Sequence, residues 1–546
     1  MMNPLTSQCR ASPEHVRTPL RNTARLPAVS AAVLATLIAI ALVINFTEGV
    51  TLGERGTLFY PLYRTRQTLA VALSMMHLPP LGGYLAYGSI VNLLTTKGFH
   101  FSDNSNDPND ALRIAKLFAS TAYLNDTLAD ALQTAIDASL PPDTIKANDL
   151  GYADYMRMAF TLFGLKVSSV YDFYFLMLSI SIGAYLMQFY RSRTMLYVLT
   201  AYLSVHLFVI QYCNVIGLPA GSIANSRTFS CLALLPTIHI SALLILGADL
   251  SFRTLFTTCI QALLLSFIVL CRFEAAWELG SLGAIAAFAA LRVTGDPKTG
   301  TIGIRARARQ LWPALVVLLA FGGLQSRQDL ASAPAYRSDS ARHVVWHEIL
   351  LGLLSTDPSL IGKYTDVKQI NSYVFDDRVA CEAVNHLLRH RTASPYTALY
   401  NCDDASNLFN GHAGVYDTLA RRVVIQIIID HPLLPISELK TKFADQIRRF
   451  GPNVRSSFQH IGLIVSLIWC AATVLYAACG EPTPSRRDVV NFTGGAAIIL
   501  ACALLSPAIE PSVFAMGTLA AYLLVGLLSA SFLVLFALKY LSRYDP

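Results

Sequence analysis

Arg272, Glu274 and Glu278 fall within seven residues of one another in "VLCRFEAAWELG", between two apolar runs. Ionisable side chains at a membrane edge are costly to place, so such a cluster is a functional-site candidate by default. The planar fork of an arginine matches phosphate oxygens, so Arg272 could hold an anion such as a lipid-linked phosphate, with Glu274 beside it. Glu274 and Glu278 share a helical face. The same residues also read as a short connector wetted by interfacial water, with Trp277 as an aromatic anchor.

Four further carboxylates stand where a general base would be useful. Glu48 and Glu54 lie in "NFTEGVTLGERG", and Asp149 and Asp154 in "NDLGYADY". A carboxylate at a membrane surface could take the proton from an acceptor hydroxyl. The alternatives are ordinary loop solvation for the two glutamates and a helix cap for Asp149.

His343 and His347, four residues apart in "RHVVWHEILLGLLSTDPSLIGKYTD", have the spacing of two metal ligands on one helix. A third ligand is not identifiable and the pattern is not H-E-x-x-H, so no metal is expected. Trp346, Ile349, Leu350, Leu353 and Leu354 form one apolar stripe. An interfacial helix with a polar flank accounts for this pattern. Asp357-Pro358 then ends the helix and starts a polar turn toward Lys363, Tyr364 and Asp366. The stretch could roof an active site, with His343, His347 and Tyr364 as substrate-binding residues.

The elements that must position these groups are helices in a bilayer. The 546 residues are 54% hydrophobic and 14% charged, and mean hydropathy is +0.47. A soluble domain carries roughly 25% charge. Apolar runs of about 20 residues replace the missing charge, the length that crosses a bilayer as a helix. The net charge of +7 comes from Lys and Arg at the ends of these runs. They orient the chain in the membrane, and no nucleic-acid partner is implied. Strand alternation is scarce, so the expected fold is all-α and polytopic, with the lipid bilayer as its partner.

About ten spans are expected, near 27–46, 169–189, 195–216, 229–250, 254–272, 275–292, 310–325, 460–479, 489–509 and 513–538. The run after Arg25 is too long for a secretory signal and lacks a cleavage site, so it reads as a retained first span. With both termini cytoplasmic, the inner connections carry Arg191, Arg193, Arg253, Arg292, Lys298, Arg305, Arg307, Arg309, Arg486 and Arg487, with Lys539 and Arg543 in the tail. The short outer connections "LPAGSIANSR" and "SPAIEPS" hold one arginine between them. This alternation satisfies the positive-inside rule. The layout is then a tail at 1–26, a first span at 27–46 and an outer segment with interfacial helices at 47–168. A six-helix bundle follows at 169–325 and a second outer helical segment at 326–459. Three spans at 460–538 and a tail at 539–546 complete the chain. The apolar stretch 69–94 is broken by Pro79, Pro80, Gly82 and Gly83 and could enter the membrane or lie on it.

Cysteines 213, 231, 259, 271, 470 and 502 fall in spans, where a thiol behaves as a small hydrophobe. Cys381 and Cys402 share the second outer segment. On an oxidising side they could form a disulfide closing a loop of about 20 residues, worth roughly 3 kcal/mol. Two buried thiols are the alternative.

The layout resembles the GT-C class of integral-membrane glycosyltransferases, as do "DLGYADYMRMAFTLFG" and "HVVWHEILLGLLSTDPSLIGKYTD". That resemblance implies many spans, a large first outer loop holding an acidic catalytic residue, and a polyprenyl-phosphate sugar donor. Glu48, Glu54, Asp149 and Asp154 are the positions here that match the acidic residue. An Asp-Glu or Asp-Asp pair beside the first span, common in that class, is absent. No cofactor is implied, and the chain has no P-loop, G-x-G-x-x-G or G-x-S-x-G. The expected function is therefore outer-face sugar transfer from a lipid-linked donor in a bacterial inner membrane. A surface-polysaccharide polymerase or ligase, a transporter using His206, His239 and Pro236, and a non-enzymatic scaffold remain as alternatives.

Overall fold

The computed structural model describes residues 150–163, 167–215, 228–247, 249–272, 275–292, 304–331, 345–356, 358–365, 377–390, 400, 402, 413–434, 494–503 and 516–541. Among the described residues there are helices and no strands. The first seven helices are α1 (Leu150–Phe163), α2 (Val167–Phe189), α3 (Arg193–Val215), α4 (Phe229–Leu246), α5 (Phe252–Cys271), α6 (Ala276–Arg292) and α7 (Ile304–Ala331). A second group holds α8 (Val345–Thr356), α9 (Pro358–Tyr364), α10 (Asp377–His390) and α11 (Ala413–Asp430). Toward the C-terminus come α12 (Gly494–Ala503) and α13 (Met516–Leu541).

Among the described residues, three helices are long and apolar enough to cross a bilayer: Tyr171–Phe189, Phe229–Leu246 and Phe252–Cys271. The expected spans at 27–46 and 460–479 lie outside the described residues, as does the stretch 69–94.

α4 is the central element. From Phe229 to Leu244 every residue except Ala242 is buried, and the helix packs on α2, α3, α5, α6, α7 and α13. A helix that is apolar all round belongs inside a bundle. Pro236 lies in its middle and has no N–H for the Leu232 carbonyl. Gly247 ends α4 at φ +84°, its N–H donating to the Leu243 carbonyl at 3.0 Å. This stops α4 four residues before the boundary read from hydropathy, since the left-handed conformation suits glycine. Ser251 then caps α5 by accepting from the Thr254 N–H.

α2 and α5 are joined by side-chain amides and hydroxyls. Ser181 Oγ donates to Gln261 Oε1 and Gln261 Nε2 donates to the Ser181 carbonyl, both at 2.8 Å. Gln188 bonds Thr254 and Thr257 at 3.3 Å. In a low-dielectric bundle these bonds satisfy groups that lipid could not.

α7 differs from the expected span at 310–325: it runs 28 residues, from Ile304 to Ala331. The basic run before it consists of good helix formers, and hydropathy alone cannot see a helix continuing through charge.

α8 to α11 pack on one another around a core that includes Leu350, Leu353, Leu354, Val384, Tyr416, Val424 and Ile427. The stripe expected to face a membrane is thus a protein core. The polar turn expected after Asp357 is instead the short helix α9, which begins at Pro358. Proline is pre-organised for a first helical position, so it starts one helix as it ends another. Cys381 and Cys402 are joined as a disulfide between α10 and the described residues near 400, with their Cα atoms 5.6 Å apart.

Candidate functional site

The two segments singled out for chemistry, "NDLGYADY" and "VLCRFEAAWELG", meet in space. Gly151, in the first turn of α1, lies against the end of α5. A Cβ there would stand 2.3 Å from the Leu270 carbonyl carbon and 2.5 Å from the Cys271 nitrogen. Only glycine permits this approach. Cys271 Sγ donates to the Gly151 carbonyl at 3.2 Å.

The chain turns directly after this contact. Arg272 is extended, its N–H donates to the Ile268 carbonyl, and its carbonyl accepts from the Ala275 N–H. The Arg272 side chain is 8% exposed, so it sits within the end of the bundle rather than in bulk water. Glu278, in the first turn of α6, is fully buried.

Asp154 is half-buried one turn along α1. Its Oδ2 accepts from Gln328 Nε2 of α7 at 3.3 Å. Burial raises its carboxyl above the usual range, outweighing the lowering effects of Gln328, Arg327 and Arg157. A raised pKa favours proton exchange nearer neutral pH. Asp154 is thus the described member of the four candidate bases. Glu48, Glu54 and Asp149 lie outside the described residues, as do Glu274 and His343.

Behind the Arg272 turn lies a buried aromatic and polar network. The Phe229 ring receives Tyr155 at 4.8 Å, Tyr174 at 5.9 Å and Tyr152 at 6.0 Å. Tyr174 Oη donates to the Thr228 carbonyl at 3.2 Å and stands 3.0 Å from His206 Nε2. Tyr202 Oη likewise donates to the Cys231 carbonyl at 3.1 Å and stands 2.9 Å from His206 Nδ1, so the imidazole lies between two phenols. Cys231 Sγ is 3.4 Å from Nδ1 as well, and a neutral ring carries its proton on one of the two nitrogens. The network joins α2, α3 and α4.

His347 and Tyr364, read as substrate-binding groups, both lie in the α8–α11 group. His347 is buried, with Nδ1 2.8 Å from the Tyr416 hydroxyl of α11. The N–H groups of Trp346 and His347 donate to Asp417 Oδ1 at 2.8 and 3.3 Å. An anion at a helix N-terminus satisfies donors that the helix itself cannot. Tyr364 Oη donates to Asp430 Oδ2 at 2.6 Å. Burial and this bond push the phenol up, and the bond from Tyr364 holds the Asp430 carboxyl down. Both residues bind across the α8–α11 group. Among the described residues no group of three His, Cys, Asp or Glu stands together as a metal site.

Sequence reasoning missed the Tyr174–His206–Tyr202 network. Its signal was the i,i+4 pair of Tyr202 and His206 in "YLSVH", together with the tyrosines of "GYADY". No protein-family model matches the chain, and neither a curated protein nor a solved structure matches it.

Proposed function

We propose that the protein is an integral-membrane glycosyltransferase that moves a sugar from a polyprenyl-phosphate donor to an acceptor at the outer face. The observation that carries this reading is the seating of Gly151 on Leu270 and Cys271. It seats the first turn of α1 against the end of α5, next to Arg272. A carboxylate there, Asp154 or the adjoining Asp149, takes the proton from the acceptor hydroxyl. The acceptor oxygen then attacks the anomeric carbon as the bond to the phosphate oxygen breaks, inverting the centre. Arg272 stabilises the charge that develops on the departing lipid phosphate.

The topology that goes with this reading has about ten spans, cytoplasmic termini and a bacterial inner membrane, as the distribution of basic loops suggests. The Cys381–Cys402 disulfide supports an oxidising compartment for the α8–α11 group.

The test is to compare lipid-linked sugars and envelope glycans in cells with and without the protein. Complementation with Arg272→Ala and Asp149→Asn follows. A lipid-linked sugar should accumulate when the protein is lost, and Arg272→Ala should fail to clear it. An unchanged glycan and lipid profile overturns the proposal.

One observation favours a second reading, proton-coupled transport. His239 is buried in the Pro236-interrupted α4 between Tyr185 and Phe189, and neither ring nitrogen has a hydrogen-bond partner among the described residues. Intramembrane histidines mark proton relays. Solute uptake that follows an imposed pH gradient and disappears in His239→Leu would establish it.

A further inference from the structure

α11 has two apolar faces, and its own group of helices uses one. Tyr416, Ala420, Val423, Val424 and Ile427 are buried in the α8–α11 core. At 3.6 residues per turn, Thr418, Arg421, Arg422, Ile425, Ile428 and Ile429 share the opposite arc of about 120°. All six are exposed. Ile429 is 68% exposed, and Leu433, just past the helix end, is 73% exposed. Isoleucines in adjacent turns facing water form a patch, and such patches mark contact surfaces.

The charges on this helix sort by face. Asp417 is turned to the N-terminus of α8, and Asp430 is held by Tyr364 and Lys363. The two acids are thus occupied by neighbouring helices. The exposed arc keeps Arg421 and Arg422, with Arg421 5.5 Å from the centre of the Trp346 ring. A helix face with isoleucines at one end and arginines at the other has the chemistry of an interfacial helix on anionic lipid. The tether fits as well. Thirteen residues separate Ala331 of α7 from Val345 of α8, a reach of at most about 45 Å. α7 packs on α5, which has the length and composition of a membrane span. The α8–α11 group therefore cannot travel far from a bilayer.

We infer that α11 is a lipid-docking helix, whose exposed arc rests on an anionic phospholipid surface with Ile425, Ile428, Ile429 and Leu433 in the headgroup–acyl boundary and Arg422 on the phosphates. This assigns the membrane contact to α11 rather than to the leucine stripe of α8. It is independent of the proposed transfer chemistry.

The test uses the full chain in nanodiscs made with a phospholipid that carries a photoactivatable group near its headgroup, followed by peptide mapping. Adducts are expected on residues 418–433, several-fold more abundant with an anionic than with a zwitterionic lipid. Arg422→Glu should abolish that preference. A spin label at Ile429→Cys should be several-fold more accessible to oxygen, relative to an aqueous nickel reagent, than one at Arg378→Cys on α10. The labelled unsubstituted protein provides the background from native thiols. Absence of adducts on residues 418–433 overturns the inference, as does equal nickel access at the two positions. Spin–spin broadening at position 429 overturns it too, because the occupant would then be a second copy of the chain.

Discussion

Cys271 Sγ donates to the carbonyl of Gly151 across 120 residues of sequence, at 3.2 Å. That bond and the glycine approach beneath it hold α1 to the turn that carries Arg272. Gly151→Ala places a methyl group where the α5 backbone already stands. Neither backbone can move aside as a flexible side chain would, so a loss of about 1–3 kcal/mol is expected. The thermal midpoint in detergent should fall, and the proposed transfer should be lost with it. Cys271→Ala keeps the close approach and should cost less. A Gly151→Ala protein with unaltered stability would show that α1 is not seated this way.

The Tyr174–His206 pair should behave as a coupled unit. Tyr174→Phe removes the hydroxyl that meets His206 Nε2 and donates to the Thr228 carbonyl. Bundle hydrogen bonds in membranes are worth about 0.6 kcal/mol on average, with a maximum near 1.7 kcal/mol. Loss near the upper end is expected because both partners are buried. In a double-mutant cycle with His206→Leu the two losses should be less than additive. Strict additivity in reversible unfolding would argue against the bond.

Asp154 gives a pH dependence whose sign is fixed. Its folded pKa is raised above the usual 3.8, with burial as the largest cause. The stability it contributes is full below that usual value and is lost as pH rises through the raised folded value. Asp154→Asn should therefore stabilise the protein at neutral pH and flatten this part of the curve, while an amide can still meet Gln328. If Asp154 is the base, the same variant loses activity while gaining stability. If Asp149 is the base, Asp154→Asn stays active and Asp149→Asn does not.

The Cys381–Cys402 disulfide closes a loop of sequence separation 21. Replacing both cysteines with alanine should cost about 3 kcal/mol in the loop-entropy picture. The loss should fall on α8–α11 and leave α2–α6 intact. Limited proteolysis with and without reductant measures it, cleavage between residues 381 and 402 being the expected first event.

The bundle was largely legible because burial of a span and its hydropathy are the same signal. α2, α5 and α6 lie within a few residues of the expected boundaries. The extension of α7 was not legible, since "RARARQ" reads as a polar loop to hydropathy and as helix to the backbone. Arg272 and the "DLGYADY" segment were visible as residue types, but their contact depends on a glycine and on a partner 120 positions away. The α3 network was hidden for another reason. From Met195 to Ile210 every residue is buried, so no polar face sets Tyr202 and His206 apart. The cover of the α8 stripe was not legible, because an amphipathic stripe has the same period whether lipid or protein covers it.

The contact between Gly517 of α13 and Ser230 of α4 bears on biosynthesis. The Gly517 N–H donates to Ser230 Oγ at 2.9 Å, joining positions 287 residues apart. At about 5–20 residues per second, the ribosome needs on the order of 15–60 s to travel from one to the other. Through that interval the first turn of the central helix waits in the translocation machinery without its closing neighbour. Chains stopped before α13 should be degraded faster than the full chain, which a pulse-chase comparison measures.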